Sequence, residues 1–472
     1  MSNVRGMVDP STADAVPLSE QLDTPGRVVI VSASMGAGHD GAAAELARRI
    51  SLSGTPVDRF DLLDLLPAHL GQALGTAYHR LLVHAPWAYQ RIYSSTEQAG
   101  GTGPAAGAVL RVAERRVLRA LPPDTSVIVS TYPGASRILG ALRLGGRLGV
   151  PVLTYLTDFS VHPLWVAPGV DAHLAAHAVP AAQARALGAS DVRVCGPVTD
   201  PRFAPAGPQE RRAARARLGL PEDAPLALLV AGSWGVGPVR QVAAEIRAGG
   251  AAVPVVVCGR NTSLAERLRA DDIGHVFGWT DDMPALMNAA DVLVQNAGGL
   301  TSLEAFACGL PVASYRCIPG HGLTNAAALD EAGLAAWIRT PDALAPGLAD
   351  LIRGPRGLLQ RAAGLDLFAA GPDTGPAAAV LRAGQSGASV PQPGSMTARR
   401  ALLPRTPRPA GPRLALYRLA ATVAVACGLW AGGVGLGMAA TAHDYPGLMR
   451  AIDHRLDPDD FTSAPTFEGS QP

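Results

Sequence analysis

The chain has 472 residues, with 40 Lys+Arg against 39 Asp+Glu, and this balance argues against a nucleic-acid-binding protein. All 40 basic residues are arginine, which excludes lysine chemistry such as a Schiff base or a P-loop lysine. The length allows two or three domains with ample core, and the five cysteines (Cys195, Cys258, Cys308, Cys317, Cys427) have no C-x-x-C pair, so they read as isolated thiols and not as a disulfide framework or zinc site.

Residues 1–25 are polar, lack an apolar core and read as a disordered N-terminus, not a signal peptide. Arg27–Ser32 is a β-branched strand that runs into Ala33-Ser-Met-Gly36-Ala-Gly38-His39-Asp-Gly41, and residues 42–50 have helix composition. Strand, glycine loop and helix form the first βα unit of a doubly wound domain. The spacing Gly36-x-Gly38-x-x-Gly41 matches the dinucleotide fingerprint, but the nearby acids Asp58 and Asp61 are not clearly placed for a ribose. His39 is more informative. The positive end of a helix dipole favours the neutral imidazole that a general base requires, the alternative being a helix-capping histidine. Residues 62–98 then concentrate Leu74, Tyr78, Leu82, Trp87, Tyr89 and Tyr93 among His79, Arg80, His84 and Arg91. This suits a membrane interface, or equally a helical insertion packed on the sheet.

Alternation resumes with a strand at 126–130 ending in Thr131-Tyr132, and another at 151–157 with Asp158 at its carboxyl end. In open α/β sheets that edge faces the ligand crevice, so Asp158 and His162 are candidates for function, with Trp165 beside them. The proline-rich stretch 201–209 reads as an interdomain linker. The second half restarts with a strand at 226–230 and the loop Ala231-Gly232-Ser233-Trp-Gly235-Val-Gly237. It continues through apolar strands to 290–295, which enters Asn296-Ala-Gly298-Gly299-Leu-Thr301-Ser-Leu-Glu304, followed by Ile318-Pro-Gly-His321-Gly-Leu-Thr-Asn325. A glycine pair at a helix start can hold a phosphate. Glu304, inside the helix, suits a ribose diol or else serves as a capping-box partner of Thr301.

Residues 374–413 are rich in Pro, Gly, Ser and Arg and read as a linker. Residues 414–442 read as a transmembrane helix, since Leu419 to Ala442 carries no charge and roughly 20 apolar residues span a bilayer. Arginines precede this span and acids populate the polar tail 443–472, so the positive-inside bias puts the preceding domains in the cytoplasm and the tail outside the cell membrane, single-pass. A C-terminal packing helix is the alternative. The expected architecture is α/β: two doubly wound Rossmann-like domains, 26–205 and 206–373, facing a cleft, with a C-terminal transmembrane helix.

Ser32-Ala-Ser-Met-Gly-Ala-Gly-His-Asp-Gly-Ala-Ala43 resembles the N-terminal signature of monogalactosyldiacylglycerol synthases. The stretch from Asn296 to Asn325 is similar to the donor site shared by those enzymes and the lipid II-forming GlcNAc transferase of peptidoglycan synthesis, in glycosyltransferase family 28. The resemblance runs from about Arg27 to about Gly371. It implies a glycosyltransferase B fold and a UDP-sugar donor held mainly by the C-terminal domain. It also implies a lipid acceptor met by the N-terminal domain, and inversion without a metal or other cofactor. On this resemblance Gly232, Ser233, Gly298, Gly299 and Thr301 lie against the diphosphate, Glu304 binds the ribose, and His321 and Asn325 lie near the sugar. His39 faces the acceptor hydroxyl, and Asp158 either orients it or is the base itself. Gly36, Gly38, His162, Trp165, Tyr78 and Trp87 fall on the acceptor side. The family commonly has Gln-Glu or Gln-Gln where this chain has His321-Gly322, which leaves the hexose open. Thr199 stands where relatives often carry an Arg, for which Arg202 is a substitute. The implied activity is hexose transfer from a UDP-sugar to a lipid hydroxyl such as that of diacylglycerol. The competing readings are a polyprenyl-linked or soluble acceptor, and a UDP-sugar epimerase or sugar-nucleotide-binding protein on the same fold.

Overall fold

Short runs of Val, Ile, Leu and Ala that are apolar on both faces form strands only where helices cover both sides of a parallel sheet. The computed structural model, which describes residues 26–66, 69–99, 113–369, 371 and 374–386, contains two such sheets. The first comprises β1 (Arg27–Ser32), β2 (Val57–Asp61), β3 (Thr125–Ser130), β4 (Val152–Tyr155), β5 (Ala172–Ala175) and β6 (Val192–Val194). The second comprises β7 (Leu226–Val230), β8 (Val253–Val257), β9 (His275–Phe277), β10 (Val292–Gln295), β11 (Val312–Tyr315) and β12 (Ala335–Ile338). Their orders are β2-β1-β3-β4-β5-β6 and β12-β11-β10-β7-β8-β9, and every pairing is parallel. The domains are therefore not copies of one another. The second has the order of a dinucleotide-binding sheet; the first has the flavodoxin-like order with one strand added.

The strand order reverses between β1 and β3 in the first sheet and between β7 and β10 in the second. Ligands of open α/β sheets bind outside the carboxyl ends of the strands at such points. The segments that follow these four strands carry His39, in the first turn of its helix, and Thr131, Ser233 and Gly298 in their loops, so topology alone gathers the candidate residues into two crevices.

Three boundaries differ from the sequence reading. The helix after β1 is Ala37–Ser51, so Gly38, His39 and Gly41 lie inside it and not in a loop before it. Gly41 tolerates the helix because it is an approach point: a Cβ there would lie 2.5 Å from Leu300 Cδ2 of the second domain. Residues 62–98 form the helices Leu70–His84 and Pro86–Ala99, whose aromatics Tyr78, Tyr89 and Tyr93 are buried in the first domain's core. The membrane-interface reading therefore fails for Tyr78, which faces Tyr89 and Trp234 at ring distances of 5.8 and 5.9 Å. Trp87, by contrast, is 65% exposed, with the Arg91 guanidinium 5.7 Å from its ring. Finally, the linker does not begin at 374. Helix Pro376–Gln385 returns to the first sheet and buries Ala379 and Val380 against Val28, Ile30, Val127 and Val129.

Among the described residues no helix is long and apolar enough to cross a membrane. The span at 414–442, the tail 443–472, the N-terminal stretch 1–25 and Cys427 lie outside the described residues.

Candidate active site

His39 sits in the first turn of helix 37–51, half-buried, with its ring 5.3 Å from Tyr132 and 6.0 Å from Trp165. Its Nδ1 lies 2.9 Å from the carbonyl oxygen of Thr131 and 2.9 Å from Oγ1 of Thr157. A carbonyl only accepts, so Nδ1 carries the proton and donates it. In the neutral ring the lone pair then belongs to Nε2, the atom left for an incoming hydroxyl. Thr131 Oγ1 in turn donates to the His39 carbonyl at 3.2 Å, which locks the two switch-point loops together. Asp40 accepts from Ser32 Oγ at 2.6 Å and from Ser34 Oγ at 2.9 Å, while Asp61 accepts from the backbone N–H groups of Ser34 and Leu63. Asp61 thus closes the glycine loop, and Asp58 pairs with Arg27. Neither acid is free for a ribose, so the dinucleotide match is structural.

Asp158 makes no hydrogen bond to His39 among the described residues. Its carboxylate accepts from Trp165 Nε1 at 3.2 Å and faces Asn325 Nδ2 at 3.5 Å. Trp165 is 1% exposed and supports the site from beneath. His162 is a fold residue and not a ligand to the acceptor. It is buried, its Nδ1 accepts from Leu164 N at 3.2 Å, and its Nε2 lies against Thr96 Oγ1 and the Tyr93 carbonyl. Burial pushes its imidazole down to about 4.

At the second crevice the loop after β7 turns through Gly232 (φ +66°) and Gly235 (φ +60°), conformations that glycine adopts freely. The Ser233 carbonyl accepts from Arg260 N at 2.9 Å, and a Cβ at Gly259 would lie 2.5 Å from that oxygen, so the loops after β7 and β8 pack backbone to backbone. The Arg260 guanidinium stacks 4.0 Å from the ring of Trp279, itself half exposed beyond β9. After β10, Gln295 Oε1 binds the N–H groups of Ala297 and Gly298. Helix Leu300–Ala307 then starts on Gly299 with no side-chain cap, so Thr301 and Glu304 form no capping box. The first-turn N–H groups of such a helix suit a phosphate, although that of Ser302 already donates to the Gly299 carbonyl at 3.0 Å.

Glu304 is part-buried and its carboxylate has no hydrogen bond or ion pair among the described residues. Burial pushes its carboxyl up to about 8; the Asp200 charge adds to this and Arg202 opposes it. Arg202 is exposed and paired with Asp200 at 2.9 Å, while Thr199 is buried and its carbonyl accepts from Arg49 Nη2 at 2.9 Å. A partnerless carboxyl one turn beyond a glycine-started helix is suited to a pair of hydroxyls.

The two crevices meet at helix His321–Glu331. The His321 imidazole is held below its usual range, chiefly by burial; Asp158 raises it and His39 lowers it, so the three groups share one field. Asn325 is 0% exposed. Its Oδ1 accepts from Ser160 N at 2.7 Å and Ser160 Oγ at 2.9 Å, and its Nδ2 donates to the Ala297 carbonyl at 3.0 Å. With all of these contacts made, Asn325 clasps the two domains, and in this closed arrangement it is not presented to a sugar. Thr131, Thr157, Ser160, Gln90 and Trp279 were not singled out from sequence as site residues, and Tyr89 was read only as part of an aromatic surface. Thr131, Thr157 and Trp279 stand just beyond strand carboxyl ends, the same signal that picked out Asp158; the others are visible only once the domains meet.

Two parallel sheets with crevices at their switch points define a glycosyltransferase B fold. Solved structures share it: UGT71G1 of Medicago truncatula complexed with UDP-glucose (TM-score 0.51, 13% identity, 77% of this chain and 99% of that one) and UGT89C1 of Arabidopsis thaliana complexed with quercetin (TM-score 0.51, 13% identity, 76% and 98%). Residues 39–198 match the monogalactosyldiacylglycerol (MGDG) synthase family, and residues 235–353 match glycosyl transferases group 1. The chain is related to the processive diacylglycerol beta-glucosyltransferase of Bacillus subtilis (strain 168), at 28% identity over 241 residues, or 49% of this chain and 61% of that one. It is also related to monogalactosyldiacylglycerol synthase 1, chloroplastic, of Arabidopsis thaliana, at 25% over 358 residues, or 71% and 67%. The chain thus spans 61% of the length of the Bacillus subtilis relative.

Proposed function

We propose that the protein is an inverting hexosyltransferase that moves a sugar from a UDP-sugar to a lipid hydroxyl, that of diacylglycerol. The observation that carries this is the pairing of two helix ends across one cleft. One holds His39 with its Nδ1 proton committed and Nε2 available; the other holds a glycine-started helix with the partnerless Glu304 behind it. The relatives named for diacylglycerol glycosylation support the acceptor.

In this mechanism the acceptor oxygen attacks the anomeric carbon from the His39 side and gives its proton to Nε2. The bond from that carbon to the UDP oxygen breaks, and the electron pair leaves with UDP toward helix 300–307. The first-turn N–H groups and the helix dipole stabilise the departing diphosphate without a metal or cofactor. Gly232, Ser233, Gly298, Gly299 and Thr301 line its path; Glu304 takes the ribose hydroxyls and His321 the hexose. Gly36 and Gly38 keep the acceptor-side wall low. Trp87 and Arg91 offer an exposed aromatic–cation pair to a lipid surface, and residues 414–442 anchor the protein with its catalytic domains on the cytoplasmic face.

The test is to incubate the full-length protein with diacylglycerol vesicles and a panel of labelled UDP-sugars, then take mass spectra of the lipid fraction. A hexosyl-diacylglycerol is expected. Transfer to a polyprenyl-linked or soluble acceptor, or interconversion of the UDP-sugar with no transfer, would replace this reading.

A further inference from the structure

Helix 86–99 belongs to the first domain, yet its inner face grips the turn that opens helix 321–331 of the second. Gln90 Oε1 accepts the Gly320 N–H, the Tyr89 hydroxyl lies 3.0 Å from Nδ1 of His321, and the Tyr93 hydroxyl shares a hydrogen bond of 3.2 Å with Thr324 Oγ1. Thr324 Oγ1 is in turn 2.8 Å from Ser160 Oγ. The fit is close: a Cβ at Gly320, where φ is +70°, would lie 2.7 Å from Tyr89 Cε1 and 3.0 Å from Tyr93 Cδ2. Tyr89 and Tyr93 are 1% and 5% exposed, so these bonds form away from water. Burial holds the Tyr89 phenol well above its usual range and the His321 imidazole below its own, so the contact joins two neutral groups whose orientation is fixed by geometry and not by charge.

We infer that Tyr89 and Gln90 are positioning residues for the donor sugar, acting from the acceptor-side domain through His321 and the Gly320 turn. The inference rests on the reading of His321 as a contact to the hexose. Recognition of the sugar then belongs to neither domain alone. The helix whose outer face carries Trp87 and Arg91 also sets the ring that meets the donor, so the acceptor-side surface and donor selection share one rigid element.

The experiment measures donor KM, acceptor KM, kcat and inhibition by UDP for full-length wild type, Tyr89→Phe, His321→Ala and the double variant. Tyr89→Phe removes one hydroxyl and keeps the ring packed. It is expected to raise donor KM about tenfold, the scale of a lost buried hydrogen bond. Because UDP lacks the hexose, its inhibition constant stays at the wild-type value, whereas a general loss of structure would move it too. In the His321→Ala background the Tyr89→Phe change adds nothing further, as coupling through one ring requires. An unchanged donor KM in Tyr89→Phe beside a raised one in His321→Ala overturns the inference, as does an equal Tyr89→Phe effect in both backgrounds. If His321→Ala leaves donor KM at the wild-type value, the donor-sugar reading itself falls and takes the inference with it.

Discussion

Helix 37–51 and helix 300–307 each leave a switch-point strand, and each begins on a glycine, Gly36 and Gly299. Both ends offer the positive pole of a helix dipole, and they approach each other where Leu300 fills the space that Gly38 and Gly41 leave open. Their furnishing differs. The first end has its acid, Asp40, tied to two serines, and carries a ring whose tautomer is set by Thr131 and Thr157. The second end has no acid in its first turn and keeps its carboxyl a turn further in, without a hydrogen bond or ion pair among the described residues. On the proposed function, two glycine-started helices would serve a proton transfer on one side and an anion with its diol on the other. The side chains in the first two turns decide which.

The largest expected effect breaks the first end. His39→Ala should lower turnover by ~10²–10⁴, the range for a lost general base, in a steady-state assay with saturating donor; unchanged turnover would remove His39 from the chemistry. The next contrast concerns pH. Buried His162 stays neutral in the fold down to about 4, whereas in the unfolded chain it takes a proton near 6.5. The stability it contributes is therefore present above about pH 6.5 and lost as the pH falls toward 4, by roughly 3 kcal/mol in all. Denaturant unfolding between pH 7 and pH 4 checks this, and a flat profile would contradict it. Glu304 limits the opposite side. Its carboxyl is raised to about 8 in the fold, so the contribution it makes while protonated is present below the unfolded value near 4.5 and lost as the pH rises through 8. Glu304→Gln should accordingly melt higher than wild type at pH 9, and a lower melting temperature would contradict the assignment. The smallest effect is at the surface: Trp87→Ala should weaken sedimentation with diacylglycerol vesicles several-fold while leaving stability within about 0.5 kcal/mol, as befits an exposed side chain.

Much of the fold was legible in the sequence because parallel strands buried on both faces announce themselves as apolar runs, and both crevices followed from glycines at their ends. His39 and Glu304 were picked out for the same reason: each is the titratable group in a glycine-started helix. What was not legible depends on distant parts of the chain. Helix 376–385 sits in a Pro/Gly-rich tract and is recognisable only from its place on the first sheet, where Val380 fills the core. Asn325 has the sequence context of a sugar ligand, but its four hydrogen-bonding contacts come from Ser160, Ala297 and Asp158, two of these residues lying in the other domain. The aromatics of helix 86–99 looked like an interfacial surface because composition does not tell which face of an amphipathic helix meets a second domain. Tyr89 and Tyr93 face inward, and Trp87 faces out.

The division of labour between the two helix ends is tested most directly by calorimetric titration of UDP into wild type, His39→Ala and Glu304→Ala side by side. The account predicts wild-type affinity for His39→Ala and binding about tenfold weaker for Glu304→Ala, the scale of one or two lost hydrogen bonds to a diol. Weakened binding in His39→Ala together with full affinity in Glu304→Ala would contradict it.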